Sequence, residues 1–443
     1  MGGGNLKVSH PRIFMAWFSK LFKLKDLRSK ILIILGLLIL TRVLAHVPIP
    51  GLGLTNIREF FSRSQVFGLL DIFSGGGLSN LSIAMLGVGP YITASIIIQL
   101  LTVIVPRLQE LAKEGGEAGR ARINKYTMYL AVPLTALQSF ATLTLLSRGG
   151  TQSAITNFPQ LSLFQWVVTI GAITAGSMLL VWIGELITNF GLGNGISLII
   201  FAGIVSQLPT YLQQIISTYD PTQLTKIITF AILTLVVVGG IVYTNEAQRN
   251  IPVSYAKRVR GNRLYGGVST HLPLRLLQAG VIPIIFAISL LLFPPLLANF
   301  FTNAKTAFVA EAAQAVIRFL QPTNIAYSIT YFLLVVVFTY FYTALVFNPD
   351  EIAENIQKAG GFVPGLRPGR QTADYLYRIL NRITTAGAII LGLIAILPFI
   401  VQRALNTTAL TIGGTGLLIV VAVAVETMKQ IEAQLVMREY EGL

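Results

Sequence analysis

The chain has 443 residues, of which 53% are hydrophobic and 12% charged, with a formal net charge of +15 and a mean hydropathy of +0.70. Soluble domains carry about a quarter charged residues, so this composition excludes an ordinary soluble protein and points to a polytopic membrane protein. Zero cysteines exclude disulfides, thiolate metal sites and thiol nucleophiles, and three scattered histidines (His10, His46, His271) leave little for a zinc centre.

The first thirty residues hold seven Lys or Arg and one acid, Asp26, with no apolar core before Ile31, so no cleavable leader is expected and the N-terminus is placed in the cytosol. Ten uncharged runs of membrane-crossing length follow. They start near Ile31, Ile83, Tyr126, Leu163, Gly195, Leu224, Leu276, Ile325, Ala386 and Thr408. An even number puts both termini on one side. With the N-terminus inside, 25 of the 33 Lys and Arg fall on the cytosolic face, the asymmetry that sets topology. The expected organisation is a cytosolic segment (1–30), a first half of spans 1–5 (31–215), a second half of spans 6–10 (216–428) and a cytosolic tail (429–443). Five spans per half would make the halves inverted copies, although no residue-level repeat is visible. Two long basic loops, about 247–274 and 348–383, form the cytosolic face.

The middles of the spans lack ionisable groups. Glu185, Glu246 and Glu426 sit near cytosolic ends, and Arg42 and Arg403 near outer ends, where long side chains reach headgroups. A proton-coupled transporter needs a carboxylate or cation at depth, and intramembrane proteases need paired aspartates, a serine with a base, or a zinc motif. None is available, so neither chemistry nor a cofactor is expected. Ile92 and Ile96, like Ile196 and Ile200, share a helical face four residues apart. They suit a hydrophobic gate that closes by dewetting, although isoleucines on a membrane helix usually face lipid or a neighbouring helix. The stretch "LLDIFSGGGLSNLSI" (69–83) is too short and glycine-rich to cross a bilayer, and by itself reads as a re-entrant or surface loop.

Several stretches together resemble the SecY family of protein translocon channels: "FSGGGLSNLSIAMLGVGPYITASIIIQLLT" (73–102), "KEGGEAGR" (113–120), "GLGNGISLIIFAGIVSQLP" (191–209) and "QRNIPVSYAKR" (248–258). "STHLPLRLLQAGVIPIIFA" (269–287), "NPDEIAENIQKAGGFVPGLRPGRQTADYL" (348–376) and "GGTGLLIVVAVAVET" (413–427) extend the likeness in the same order. The resemblance implies an all-α fold of ten transmembrane helices, in two pseudo-symmetric inverted halves around an hourglass pore. Its waist would be Ile92, Ile96, Ile196, Ile200, Ile285 and Ile419. A plug of about residues 66–78, including Leu69, Leu70, Ile72 and Phe73, would hinge on Gly75, Gly76 and Gly77, with the second span resuming near Leu81. The lateral gate would be the second and seventh spans, carrying Thr93, Ser95 and Gln99 opposite Leu277 and Gln278, with the third and eighth beside them. Leu277 stands where relatives commonly have asparagine, which leaves Gln278 as the polar partner. Ordinary helix packing accounts for these residues equally well.

The resemblance also implies that the basic loops dock a ribosome and the motor ATPase SecA through Arg249, Lys257, Arg258, Arg260, Arg263, Arg367 and Arg370. Here Asn262 replaces a common family arginine. A positive-inside bias explains part of the same charge. Further implied partners are SecE and SecG-type small subunits, preproteins bearing signal sequences, and membrane lipid. The Gly-x-Gly-x-Gly at 191–195 is weak as a nucleotide motif, and no Walker lysine motif is present. Energy is therefore expected from a partner ATPase, the ribosome or the membrane potential. The implied location is a bacterial plasma membrane, with a thylakoid membrane as the alternative. A secondary transporter with inverted repeats, or a lipid scramblase, fits the spans but not the full set of motifs.

Overall fold

A computed structural model of the chain describes residues 25–49, 71, 74–113, 116–147, 162–217, 224–255, 258–260, 263–265, 269–278, 280, 282–302, 304, 306–322, 324–405 and 409–441. A helix occupies every expected span. In chain order these are α1 (Lys25–Leu44), α2 (Gly89–Ile104), α3 (Pro106–Lys113), α4 (Gly116–Ser147), α5 (Leu163–Asn189), α6 (Gly195–Ser217) and α7 (Leu224–Glu246). After a cytosolic β region come α8 (Ile282–Phe301), α9 (Ala307–Phe319), α10 (Ile325–Val346), α11 (Pro349–Lys358), α12 (Arg370–Leu405) and α13 (Ala409–Glu441). Four stretches among the described residues pass a strict test of length and hydropathy for crossing a membrane: Leu163–Asn189, Ile282–Asn299, Ile325–Lys358 and Arg370–Val401. The pair α2 and α3, bent by 105°, passes when taken together.

Local chemistry explains the helix ends. Ser162 caps α5 in a reciprocal box: its hydroxyl accepts from Gln165 N–H, while the Gln165 side chain accepts from Ser162 N–H. Asn348 caps α11, whose first turn carries Asp350 and Glu351 and whose last carries Lys358, charges that oppose the helix dipole.

Two span starts depart from the sequence reading. The second span does not resume near Leu81 or Ile83; residues 75–88 form successive turns, with Gly87 at φ +56°, and helix begins only at Gly89 with Pro90 in its first turn. This turn region is tied to the segment after α1 by Ile49 N–H to Leu81 O (2.9 Å) and Ile83 N–H to Val47 O (3.0 Å). The seventh span begins at Ile282, not Leu276. Gly280 at φ +58° precedes it, and Pro283, which lacks an N–H, fits the first helical turn. Leu277 and Gln278 therefore lie outside the helix.

The five spans of the first half and the five of the second meet along two seams. On one side α8 packs against α2 and α4; on the other α13 packs against α6. The α6 seam extends into the cytosolic end, where Gln434 on α13 donates to Gly191 O (2.5 Å). Between the seams lies one large buried apolar cluster.

The cytosolic loops fold together, which the sequence reading did not foresee. Strand β1 (Gln248–Tyr255) pairs antiparallel with β4 (Ser269–Arg275) and with the short β5 (Gly361–Phe362) from the second loop. Ile251 and Val253 point inward from β1 to join Leu274, Val363, Leu376 and Ile379 in a separate apolar core. The hairpin β2 (Arg258–Arg260) and β3 (Arg263–Tyr265) projects between β1 and β4 in sequence.

Candidate functional site

All six isoleucines singled out from the sequence belong to or pack against one extended buried cluster, and four of them line one cavity. Ile92 and Ile96 on α2, Ile200 on α6, Ile285 on α8 and Ile419 on α13 are buried in the central cluster, and Ile196 packs against it. The six come from four helices, and none of them joins the exposed apolar surface. A collar of such side chains excludes water because its lining offers no hydrogen bonds.

Two cavities lie among these helices. The larger is a space of about 340 Å³ whose floor includes Ile92, Ile196, Ile200 and Ile285. Its walls are polar, with Gln99, Asn124, Glu185 and Asn194 among them. Tyr91 donates to Asn124 Oδ1 (2.9 Å), and the Asn124 amide donates to Glu185, so three helices are stitched together above the floor. The smaller, of about 40 Å³, lies between Leu78, Met85 and Thr93 and the residues Gln138, Leu292 and Leu296.

Gly75 and Gly76 have φ of +66° and +87°, values that glycine adopts without strain. Ser74, Gly75, Gly76, Gly77 and Leu78 are all buried. Asp71 organises the turn by accepting from Ser79 N–H (2.8 Å). Leu69, Leu70, Ile72 and Phe73 lie outside the described residues.

At the α2/α8 seam the polar residues do not pair across the gap as the sequence suggested. Thr93 donates to Gly89 O on its own helix (3.2 Å), and Gln99 donates to Ser95 Oγ one turn back (3.0 Å). Leu277 is buried against α12, where a methyl built on Gly387 would lie 3.3 Å from its Cδ2. Thr93 and Gln99 thus find their hydrogen-bond acceptors within α2.

On the cytosolic side Arg249, Arg367 and Arg370 are exposed. Arg367 sits on a turn between Gly365 (φ +86°) and Gly369 (φ +95°), and its carbonyl accepts from Thr372 Oγ1 (3.0 Å). Arg258, Arg260 and Arg263 lie on the β2–β3 hairpin, and Lys257 falls outside the described residues. Two features went unread in the sequence. One is the Tyr91–Asn124–Glu185 chain. The other is Arg42, expected at the headgroups, which instead turns inward to Gly75 O (2.7 Å).

A SecY family model matches residues 82–428. The chain is 44% identical over 436 residues to the protein translocase subunit SecY of Mycobacterium tuberculosis, covering 94% of this chain and 97% of that protein. The chain belongs to the SecY family. To the SecY translocase subunit of Streptomyces coelicolor it is 43% identical over 435 residues, covering 96% and 98%. Among solved structures, a protein-conducting channel aligns at TM-score 0.61 with 18% identity, over 90% of each chain. The Sec61 channel of a canine ribosome complex aligns at 0.58 with 17% identity; at such identities the likeness speaks for the fold. This SecY-family chain is thus a membrane-embedded, protein-conducting channel and not a catalytic enzyme or a secondary transporter.

Proposed function

We propose that the isoleucine collar is the waist through which an unfolded secretory polypeptide threads, and that residues 66–78 plug it from outside. The observation supporting this reading is that all six isoleucines lie in or against one buried apolar cluster and that four of them, from three helices of both halves, line one cavity with polar groups in its walls. Branched aliphatic groups deform around any passing sequence, form no specific hydrogen bonds and exclude ions when closed. The α2/α8 seam serves as the lateral gate. Thr93 and the Gln99 amide nitrogen bond within α2, so these donors need not be broken when the seam parts. An apolar segment then leaves for lipid by partition, at about −0.3 to −0.6 kcal/mol per Leu, Ile, Phe or Val.

The folded cytosolic platform, with Arg249, Arg367 and Arg370 exposed and Arg258, Arg260 and Arg263 on its hairpin, docks the ribosome and the motor ATPase SecA. Basic side chains attract rRNA phosphates without reading sequence. These partners or the membrane potential supply the energy. SecE and SecG-type subunits complete the complex, in a bacterial plasma membrane with both termini cytosolic. The experiment is to purify the chain with its subunits, measure preprotein transport in vesicles, and replace the six collar isoleucines by glycine. Transport with a tight parent and a leaky glycine variant is expected; unchanged ion leak would remove the collar from the account.

A further inference from the structure

The outer end of α1 holds a contact that the channel reading does not use. Arg42, in the last turn of α1, donates from Nη1 to Gly75 O (2.7 Å) and to Ser206 Oγ on α6 (3.0 Å). Ser206 in turn donates to Gly203 O (2.7 Å), and Gln207 on the next position donates to Asp71 O (3.3 Å). Gly75 and Gly203 stand back to back. A methyl built on Gly75 would fall 2.4 Å from Arg42 Nη1 and 2.7 Å from Gly203 Cα, and one on Gly203 would fall 3.0 Å from Gly75 Cα. The Nε of Arg42 is buried without a hydrogen-bond partner.

We infer that Arg42 is the positioning residue that latches the plug shut, by gripping the backbone of its glycine hinge against α6. This rests on the plug reading above and goes further by naming what holds the plug. Three features argue for a latch over plain packing. The cation binds a main-chain carbonyl, so it holds the hinge whatever side chains the plug carries, and a charged donor makes that bond stronger than a neutral one. Close approach requires glycine on both sides, since any Cβ would wedge the hinge from α6. The grip joins α1 and α6, both of the first half, so the plug stays with that half while α8 moves away from α2 at the gate. An arriving chain then has to break the Arg42 grip, with the Gln207–Asp71 bond beside it, before the outer funnel clears.

The test uses the full chain with its co-purified subunits in planar bilayers and vesicles, as the parent, Arg42→Gln, Arg42→Lys, Gly203→Ala and a deletion of residues 66–78. Two readouts are taken: resting ion conductance, and transport of a preprotein with a shortened signal core relative to the intact one. Arg42→Gln and Gly203→Ala should each raise both by about tenfold, the shift for losing one charge-assisted hydrogen bond. Arg42→Lys, which keeps a charged donor, should stay closer to the parent. Transport of the intact preprotein should persist in every variant. If the deletion raises conductance while Arg42→Gln and Gly203→Ala match the parent, the latch is wrong and the plug stands. If the deletion itself leaves conductance unchanged, the plug reading fails. Equal loss of transport for both preproteins in Arg42→Gln, not restored by lysine, would make Arg42 a structural residue and overturn the inference.

Discussion

Isoleucine at a gate serves by what it lacks: with no polar atom, it leaves water no partner in a narrow passage. Ile200, 1% exposed on α6, offers a clean test. Ile200→Asn should wet the collar and raise resting conductance, whereas the volume-conserving Ile200→Leu should leave it near the parent; bilayer recordings separate them. A second residue adds a pH dependence. Burial pushes the Asp71 carboxyl above its ordinary value, outweighing the hydrogen bonds from Ser79 and Ser74 that favour the anion. A raised value means that the seated segment holds its proton more tightly than the displaced, solvated one. Seating therefore strengthens as pH falls through that raised value and weakens above it. Acidification from neutral pH should lower resting conductance, and Asp71→Asn should hold it low throughout. Ile92, Ile96, Ile196 and Ile200 were legible only as candidates, because an apolar side chain carries no mark of whether it faces lipid or pore. Arg42 was illegible, since a charge near a span end normally reaches for headgroups, and only the folded position of Gly75 reveals the inward turn.

Helices in this molecule approach closely where glycines allow it. A methyl on Gly195 of α6 would fall 1.9 Å from Gly184 O of α5, while one on Gly239 of α7 meets nothing within 4 Å. Gly195→Ala should cost about 1 to 3 kcal/mol and lower the melting temperature in detergent, as overpacking does; Gly239→Ala should not. The cytosolic platform makes a separable prediction. Val253, 2% exposed in the small core under β1, cannot accept a carboxylate. Val253→Asp should abolish ribosome and SecA binding, read by co-sedimentation, while resting conductance stays low. At this scale the spans were legible because twenty-residue apolar runs admit few other fates. Their starts at Gly89 and Ile282 were not, as Gly87, Pro90, Gly280 and Pro283 divide apolar sequence into turn and helix without changing its hydropathy. The β1–β4 pairing was hidden by its length: Ile251 and Val253 give two inward positions, too few to stand out among basic residues.

The α8 helix packs against α2 and α4, and α13 packs against α6, where Gln434 also donates to Gly191 O. The proposed gate at α2/α8 would leave the α6/α13 contact as its hinge. The positions of the spans could be read from the apolar runs, whereas the central cavity needed the fold, because no residue in it is of a type peculiar to pores. The absence of native cysteines permits a direct test of the collar. Single cysteines at Ile92, Ile196, Ile285 and Ile419, and at the lipid-exposed Leu235 and Val337, would be probed by disulfide formation with a cysteine in a preprotein stalled during transport. Adducts at the four collar positions and none at Leu235 or Val337 are predicted; adducts at the lipid-exposed pair with none in the collar would contradict the account.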